Sequence, residues 1–245
     1  MVEIFPLVKN RQRRHGMVGG VVPTISFSPD DIATLAHWYD ASDITTITKD
    51  GSDRVSQWDD KKGDENLLQA TGGTQPLWLS ASQNGLDTID FVSDRQMQVT
   101  DGTIVVQPQS FYIVFEFPAI NNTTTMRFFN NETNDQQLLH SGVSDRITID
   151  SGIALTFVEA LSTTWVIARI IFNGASSSLF IDGVSKISGD TGTDSADGMV
   201  VMGSQVPGDF GQSDVGEMLR YDAVLSSDDN ASVMTYLADR WGISI

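Results

Sequence analysis

Hydrolysis of a polysaccharide needs two carboxyl groups facing one another, about 5–5.5 Å apart where configuration is retained. On a strand that means acids at i, i+2 or i+4 of one face. The chain carries six glutamates, Glu3, Glu65, Glu116, Glu132, Glu159 and Glu217. None pairs with a second acid in that register, and Glu217 and Asp222 fall on opposite faces of their strand. Nucleophilic catalysis has no better footing. Cysteine is absent, and no Gly-x-Ser-x-Gly elbow lifts a serine toward His140. Val18-Gly19-Gly20-Val21 lacks the Lys-Ser/Thr ending of a phosphate loop. The residues predict a protein without catalytic activity.

Two kinds of binding chemistry have candidates. Aspartate far outnumbers glutamate, and loop carboxylates suit Ca²⁺. Asp40, Asp43, Asp59 and Asp60 would converge if the segment before them folded against the next strand. The Asp-x-Asp-x-Asp-Gly loop is missing, however, and caps and turns account for many aspartates. No cofactor is therefore expected beyond a calcium option. His15, His37 and His140 are too scattered for zinc. Sugar recognition needs aromatic faces beside planar polar groups. Trp58, Trp78 and Phe210 adjoin polar loops and are the candidates, although Trp58 and Trp78 suit core positions near strand ends even better. Trp38, Trp165 and Trp241 read as core.

Charge separates the chain into two parts. Lys9, Arg11, Arg13 and Arg14 give the first 20 residues a net +3, whereas the rest carries −20. An acidic body repels nucleic acid and anionic membrane. Residues 1–24 thus form a basic arm, and residues 25–245 form the folded domain. Phe5 and Leu7 could add to a partner's sheet or groove, while the four cations seek an acidic surface, including a second copy of the chain. No run approaches the ~20 apolar residues of a membrane helix. The N-terminal apolar patch is too short for a signal peptide and precedes its basic cluster.

The elements that must position these residues are mostly strands. Phe111 to Phe117 alternates with period two, and Trp165 to Phe172 is apolar on both faces, as in a central strand. Leu179-Phe180-Ile181, Asp182-Gly183 and Val184 spell a hairpin. Many strands with polar turns between them predict an all-β antiparallel sandwich. Two helices bracket it. Ser28-Pro29-Asp30-Asp31 predicts a short one with Ile32, Leu35, Ala36 and Tyr39 on one face. A second begins at Ser226 or Ser227, with Val233, Leu237 and Trp241 on one face and Gly242 at its end.

Several of these segments resemble the concanavalin A-like lectin/glucanase, or laminin G-like, superfamily. They are Leu35 to Asp43, Val55 to Asp60, Asn84-Gly85 to Phe91, Phe172-Asn173-Gly174, Ser177 to Gly183, Met202-Gly203-Ser204, Gly216 to Asp222 and Tyr236 to Ile243. The resemblance covers residues 30–245 and implies two antiparallel sheets in jelly-roll order. The family's hydrolase motif, Glu-x-Asp-x-(x)-Glu, has no counterpart here. Versions of this sandwich occur in phage proteins. With the basic arm, that suggests a non-enzymatic virion component of head-decoration or fibre type. It would assemble in the host cytoplasm and dock on capsid proteins or its own copies. The alternative is a carbohydrate-binding module or lectin that engages surface glycans, with calcium as an option.

Overall fold

The computed structural model describes residues 27–63, 65–91, 95–99, 104, 106–116, 126–130, 136–141, 146–158, 163–195, 198–201 and 213–245. The basic arm and Phe210 lie outside these. In chain order the strands are β1 (Leu35–Asp40), β2 (Ile47–Lys49), β3 (Val55–Trp58), β4 (Leu67–Leu68), β5 (Leu77–Gln83), β6 (Leu86–Asp90), β7 (Met97–Val99), β8 (Gln109–Glu116) and β9 (Met126–Asn130). They continue with β10 (Gln137–Ser141), β11 (Arg146–Asp150), β12 (Leu155–Val158), β13 (Trp165–Phe172), β14 (Ser177–Ile181), β15 (Val184–Gly189), β16 (Met199–Val201) and β17 (Asp214–Tyr221). Among the described residues one α-helix, α1 (Ser227–Trp241), closes the fold.

Two antiparallel sheets result. The first runs β15-β14-β13-β8-β17-β6-β5, with β1 also paired to β17, and the second runs β12-β11-β10-β9-β16-β7-β4-β3-β2. Alternation along β8 shows why the layers form. Phe111, Ile113 and Phe115 enter the core between the sheets with Phe128, Leu138 and Ile149 of the other layer. Tyr112 and Val114 point outward into a second cluster with Val233, Leu237 and Trp241 of α1. The central strands are therefore apolar on both faces, and the expected position of Trp165–Phe172 holds: β13 lies between β14 and β8.

Local chemistry accounts for the turns and for the helix ends. Asn84 and Gly85 join β5 to β6 with φ of 49° and 76°, and Asp182 and Gly183 join β14 to β15 with 49° and 77°. This doubly positive backbone matches the twist of a tight hairpin. The Ser226 side chain accepts from the Asp229 N–H, and Gly242 ends α1 in the left-handed region.

The expected N-terminal helix is not what forms. A single 3-10 turn spans Pro29–Asp31, stabilised as the Ser28 N–H donates to Asp31 Oδ2 at 2.8 Å. The chain then becomes β1, pairing with β17 from Leu35↔Tyr221 to Asp40↔Glu217. His37-Trp38-Tyr39 is aromatic and suits a pleated surface. A backbone ladder on β17 outweighs the helical spacing of Ile32, Leu35 and Tyr39. The remaining edge of β1 is covered by the loop after β3, where the Lys61 N–H donates to the Trp38 carbonyl at 2.8 Å.

One glycine is set by packing. A Cβ on Gly216 would lie 2.7 Å from the Trp241 ring. We expect Gly216→Ala to push that indole out of register and cost about 1–3 kcal/mol, measured as a lower denaturation midpoint with an unchanged slope.

Candidate ligand-binding cleft

Alternation along β1 assigns its side chains to two different places. Trp38 and Asp40 turn toward α1, while His37 and Tyr39 turn the other way, toward the space between the sheets. On the α1 side an open cleft of about 420 Å³ is lined by Phe27, Ser28, Trp38, Asp40, Ser42, Asp43, Lys61, Tyr236 and Arg240. It adjoins a hollow of about 680 Å³ along α1 that shares Phe27, Tyr236 and Arg240. Both volumes fall within the ~300–1,000 Å³ typical of small-ligand sites.

The aromatic groups of the cleft are partly exposed. The rings of Phe27 and Tyr236 meet edge to face with centroids 6.1 Å apart. Lys61 Nζ lies 4.2 Å from the centre of the Trp38 ring, covering one face. The polar groups form two charged pairs, of which Asp40–Arg240 is planar on both sides. Arg240 Nη2 donates to Asp40 Oδ2 at 2.7 Å and to Ser42 Oγ at 2.6 Å, and Lys61 reaches Asp43 Oδ2 at 3.0 Å. The Thr45 hydroxyl, and after it Lys61, hold Asp43 below the usual carboxylate range.

Beneath the cleft sits Glu217, the residue directly opposite Asp40 in the β1–β17 ladder. Its carboxyl is fully buried. Oε1 accepts from Trp38 Nε1 at 2.8 Å and Tyr236 Oη at 2.9 Å, and Oε2 accepts from Trp241 Nε1 at 2.8 Å. Arg240 Nε pairs with Oε2 at 3.2 Å. Burial, then the Asp40 carboxylate, push Glu217 up to about 7 against the pull of the indole, guanidinium and phenol. Such a shift is what a general acid needs. Here the group is sealed by its donors, so it joins sheet to helix and has no route to a substrate.

The four aspartates with metal potential take up other work. Asp40 and Asp43 are occupied by Arg240 and Lys61. Asp60 faces the opposite side of β1, where it accepts from the backbone N–H groups of Trp38 and Lys62 at 2.9 Å and bonds His37 Nδ1 at 2.7 Å. Asp59 accepts from Gln57 Nε2 at 2.5 Å. Among the described residues no three His, Cys, Asp or Glu side chains gather as a metal would require. Each of the four carboxylates accepts from at least one protein donor.

The proposed stacking residues also divide. Trp58 is fully buried, edge-on to Tyr39, as its core reading anticipated. Trp78 is half-buried under Lys49, whose Nζ is 4.6 Å from the ring centre. Phe210, and Phe5, Leu7, Lys9, Arg11, Arg13 and Arg14 of the arm, lie outside the described residues. Trp38 and Trp165, read as core, are only half-buried, and Trp38 forms a wall of the cleft. Phe27, Tyr236 and Arg240 went unmarked in the sequence. The family-like segment Tyr236 to Ile243 was the one local hint, and it pointed to a helix and not to a site.

No protein-family model matches the chain, and no curated protein matches it by sequence. Solved structures do. Domain 4 of AbnA, a GH43 extracellular arabinanase from Geobacillus stearothermophilus in complex with arabinotriose, aligns with a TM-score of 0.59 at 13% identity, over 82% of this chain and 98% of that one. Trypanosoma rangeli sialidase in complex with sialic acid aligns at 0.54 and 12% identity, over 87% of this chain. The binding domain of botulinum neurotoxin serotype D/C aligns at 0.53 and 11%, over 89%. This chain spans 34% of the sialidase and 56% of the neurotoxin binding domain. The likeness is to β-sandwich domains of carbohydrate-binding and glycosidase proteins, and at these identities it establishes the fold alone.

Proposed function

We propose that this chain is a non-catalytic glycan-binding β-sandwich that takes sugar in the cleft between β1 and α1. The observation that carries this reading is the placement of the Phe27 and Tyr236 rings beside the Asp40–Arg240 pair and Ser42 in one open cleft. Aromatic faces supply apolar contact to a sugar ring, and paired planar donors and acceptors suit its adjacent hydroxyls. Two of the structural neighbours were solved with a saccharide bound, which is in keeping with it. The sealing of Glu217 supports binding without hydrolysis. The virion and arm-docking reading concerns residues outside the described ones, and no comparison bears on it.

A broad glycan array followed by calorimetry on the full chain tests the proposal. We expect a neutral or weakly polar saccharide to bind. Phe27→Ala and Lys61→Ala should each weaken it tenfold or more, about 1.4 kcal/mol, with the melting temperature nearly unchanged. Retention of no saccharide at millimolar concentration would overturn the reading. So would unchanged affinity in both variants.

A further inference from the structure

On the other side of β1 the groups add up to a second site. There His37 faces Arg220 across the β1–β17 ladder, in a groove of about 490 Å³. Arg220 is only 8% exposed, and its Nε is buried without a hydrogen-bond partner. Asp222 Oδ1 forms an ion pair with Nε at 3.6 Å, too long for a hydrogen bond. Other charged groups nearby have partners, Glu65 Oε2 standing 3.7 Å from His37 Nε2. Asp60 is taken by His37 and two backbone N–H groups, and Lys62 by Asp30 at 2.6 Å. A buried N–H left without an acceptor is costly, and burial pulls the Arg220 pKa down against the opposing pull of Asp222, Glu65 and Asp60. The guanidinium's planar fork of donors is matched best by the two oxygens of a carboxylate.

The walls state what else the ligand must carry. Ile104 and Val106 are 68% and 69% exposed and line the groove with Leu35 and Pro108. Next to Val106, Gln107 is held in place as it donates from Nε2 to Ser151 Oγ at 2.8 Å and accepts the Gly174 N–H at 2.6 Å. Glu65 and Asp222 also line the groove, and they oppose a multiply charged anion such as phosphate or sulfate. We propose that this groove binds a monocarboxylate carried on an apolar body, with the carboxylate on Arg220 and the body against Ile104 and Val106. The site is independent of the cleft on the α1 side.

Methyl-resolved NMR of the full chain tests it with four probes: 4-methylpentanoate, N-acetylleucine as a mimic of a chain end, and the amide of each. We expect both acids to shift the Ile104 and Val106 methyls with dissociation constants of about millimolar order, and the amides to bind at least tenfold more weakly. The tighter of the two acids identifies the source as a small organic acid or a polypeptide terminus. Sulfate should leave these methyls unmoved. Arg220→Gln should abolish the shifts while the remaining methyl signals keep the dispersion of the folded protein. Ile104→Ser, at an exposed position where folding is not at stake, should weaken both acids but not acetate. Equal response to acid and amide, an equal response to sulfate, or undiminished binding in Ile104→Ser would each overturn the proposal.

Discussion

At pH 8, above the Glu217 pKa of about 7, replacing this residue with alanine is expected to remove about 3–5 kcal/mol of stability, the cost of breaking a buried ion pair by deleting one partner. The residue is fully buried, so no solvent screening softens the loss. Alanine leaves two indole N–H groups and the Tyr236 hydroxyl without their acceptor and strips Arg240 of one of its two carboxylate partners. Those donors come from both β1 and α1, so sheet and helix should loosen together. Against a total of roughly 5–15 kcal/mol for a folded domain, one substitution takes a large fraction. Denaturant titration followed by fluorescence measures it, because Trp38 and Trp241 both touch the altered group. A loss below about 1 kcal/mol would show that the network does not bind α1 to the sheet.

The same carboxyl predicts a pH dependence whose sign follows from its direction of shift. The folded protein holds Glu217 up to about 7, against 4.5 in an ordinary environment. Between those values the native state keeps a proton that the unfolded chain has released. The contribution to stability is therefore full below about pH 4.5 and is lost as pH rises through 7. Glu217→Gln, neutral at every pH, removes this slope. The difference in melting temperature between wild type and Glu217→Gln should change mainly between pH 4.5 and 7 and be flat above 7.5.

Trp241→Ala is the second large effect, expected at about 3–5 kcal/mol. The indole is completely buried, stacked on Trp165 with centroids 6.1 Å apart and rings 7° from parallel, and lies against Gly216. Gly216, against the ring, has no side chain to fill the space left behind. Its loss also removes a donor to Glu217. Trp241→Phe should keep most of the packing and forfeit chiefly the hydrogen bond, about 1–2 kcal/mol. If alanine and phenylalanine cost the same by chemical denaturation, packing against the sheet is not what Trp241 contributes.

These effects meet at one junction, and the cleft inherits its rigidity from it. Tyr236 and Arg240 present ring and guanidinium to the cleft while their polar atoms are held by Glu217 and Asp40. A ligand would meet side chains already fixed, which lowers the ordering cost of binding. On the opposite side of β1, Gln107 performs a similar service for the groove wall.

What the amino-acid sequence determined alone is whatever depends on a residue and its near neighbours. The apolar runs at Phe111 and Trp165 specify strands, the first by its period-two alternation and the second by being apolar on both faces. Asn84-Gly85 and Asp182-Gly183 specify hairpins because their backbones tolerate positive φ. Ser226 and Gly242 delimit α1 because each satisfies backbone groups at a helix end. Other features needed the assembled sheet. The helical spacing of Ile32, Leu35 and Tyr39 yields to β1 because β17, far along the chain, offers a ladder. Asp40 stands opposite Glu217, and His37 opposite Arg220, only through that register. Asp60 becomes a support for His37 and β1 because the loop carrying it folds along the edge of that strand. Convergence of side chains distant in sequence is a property of strand order and register, and no local pattern of residues encodes it.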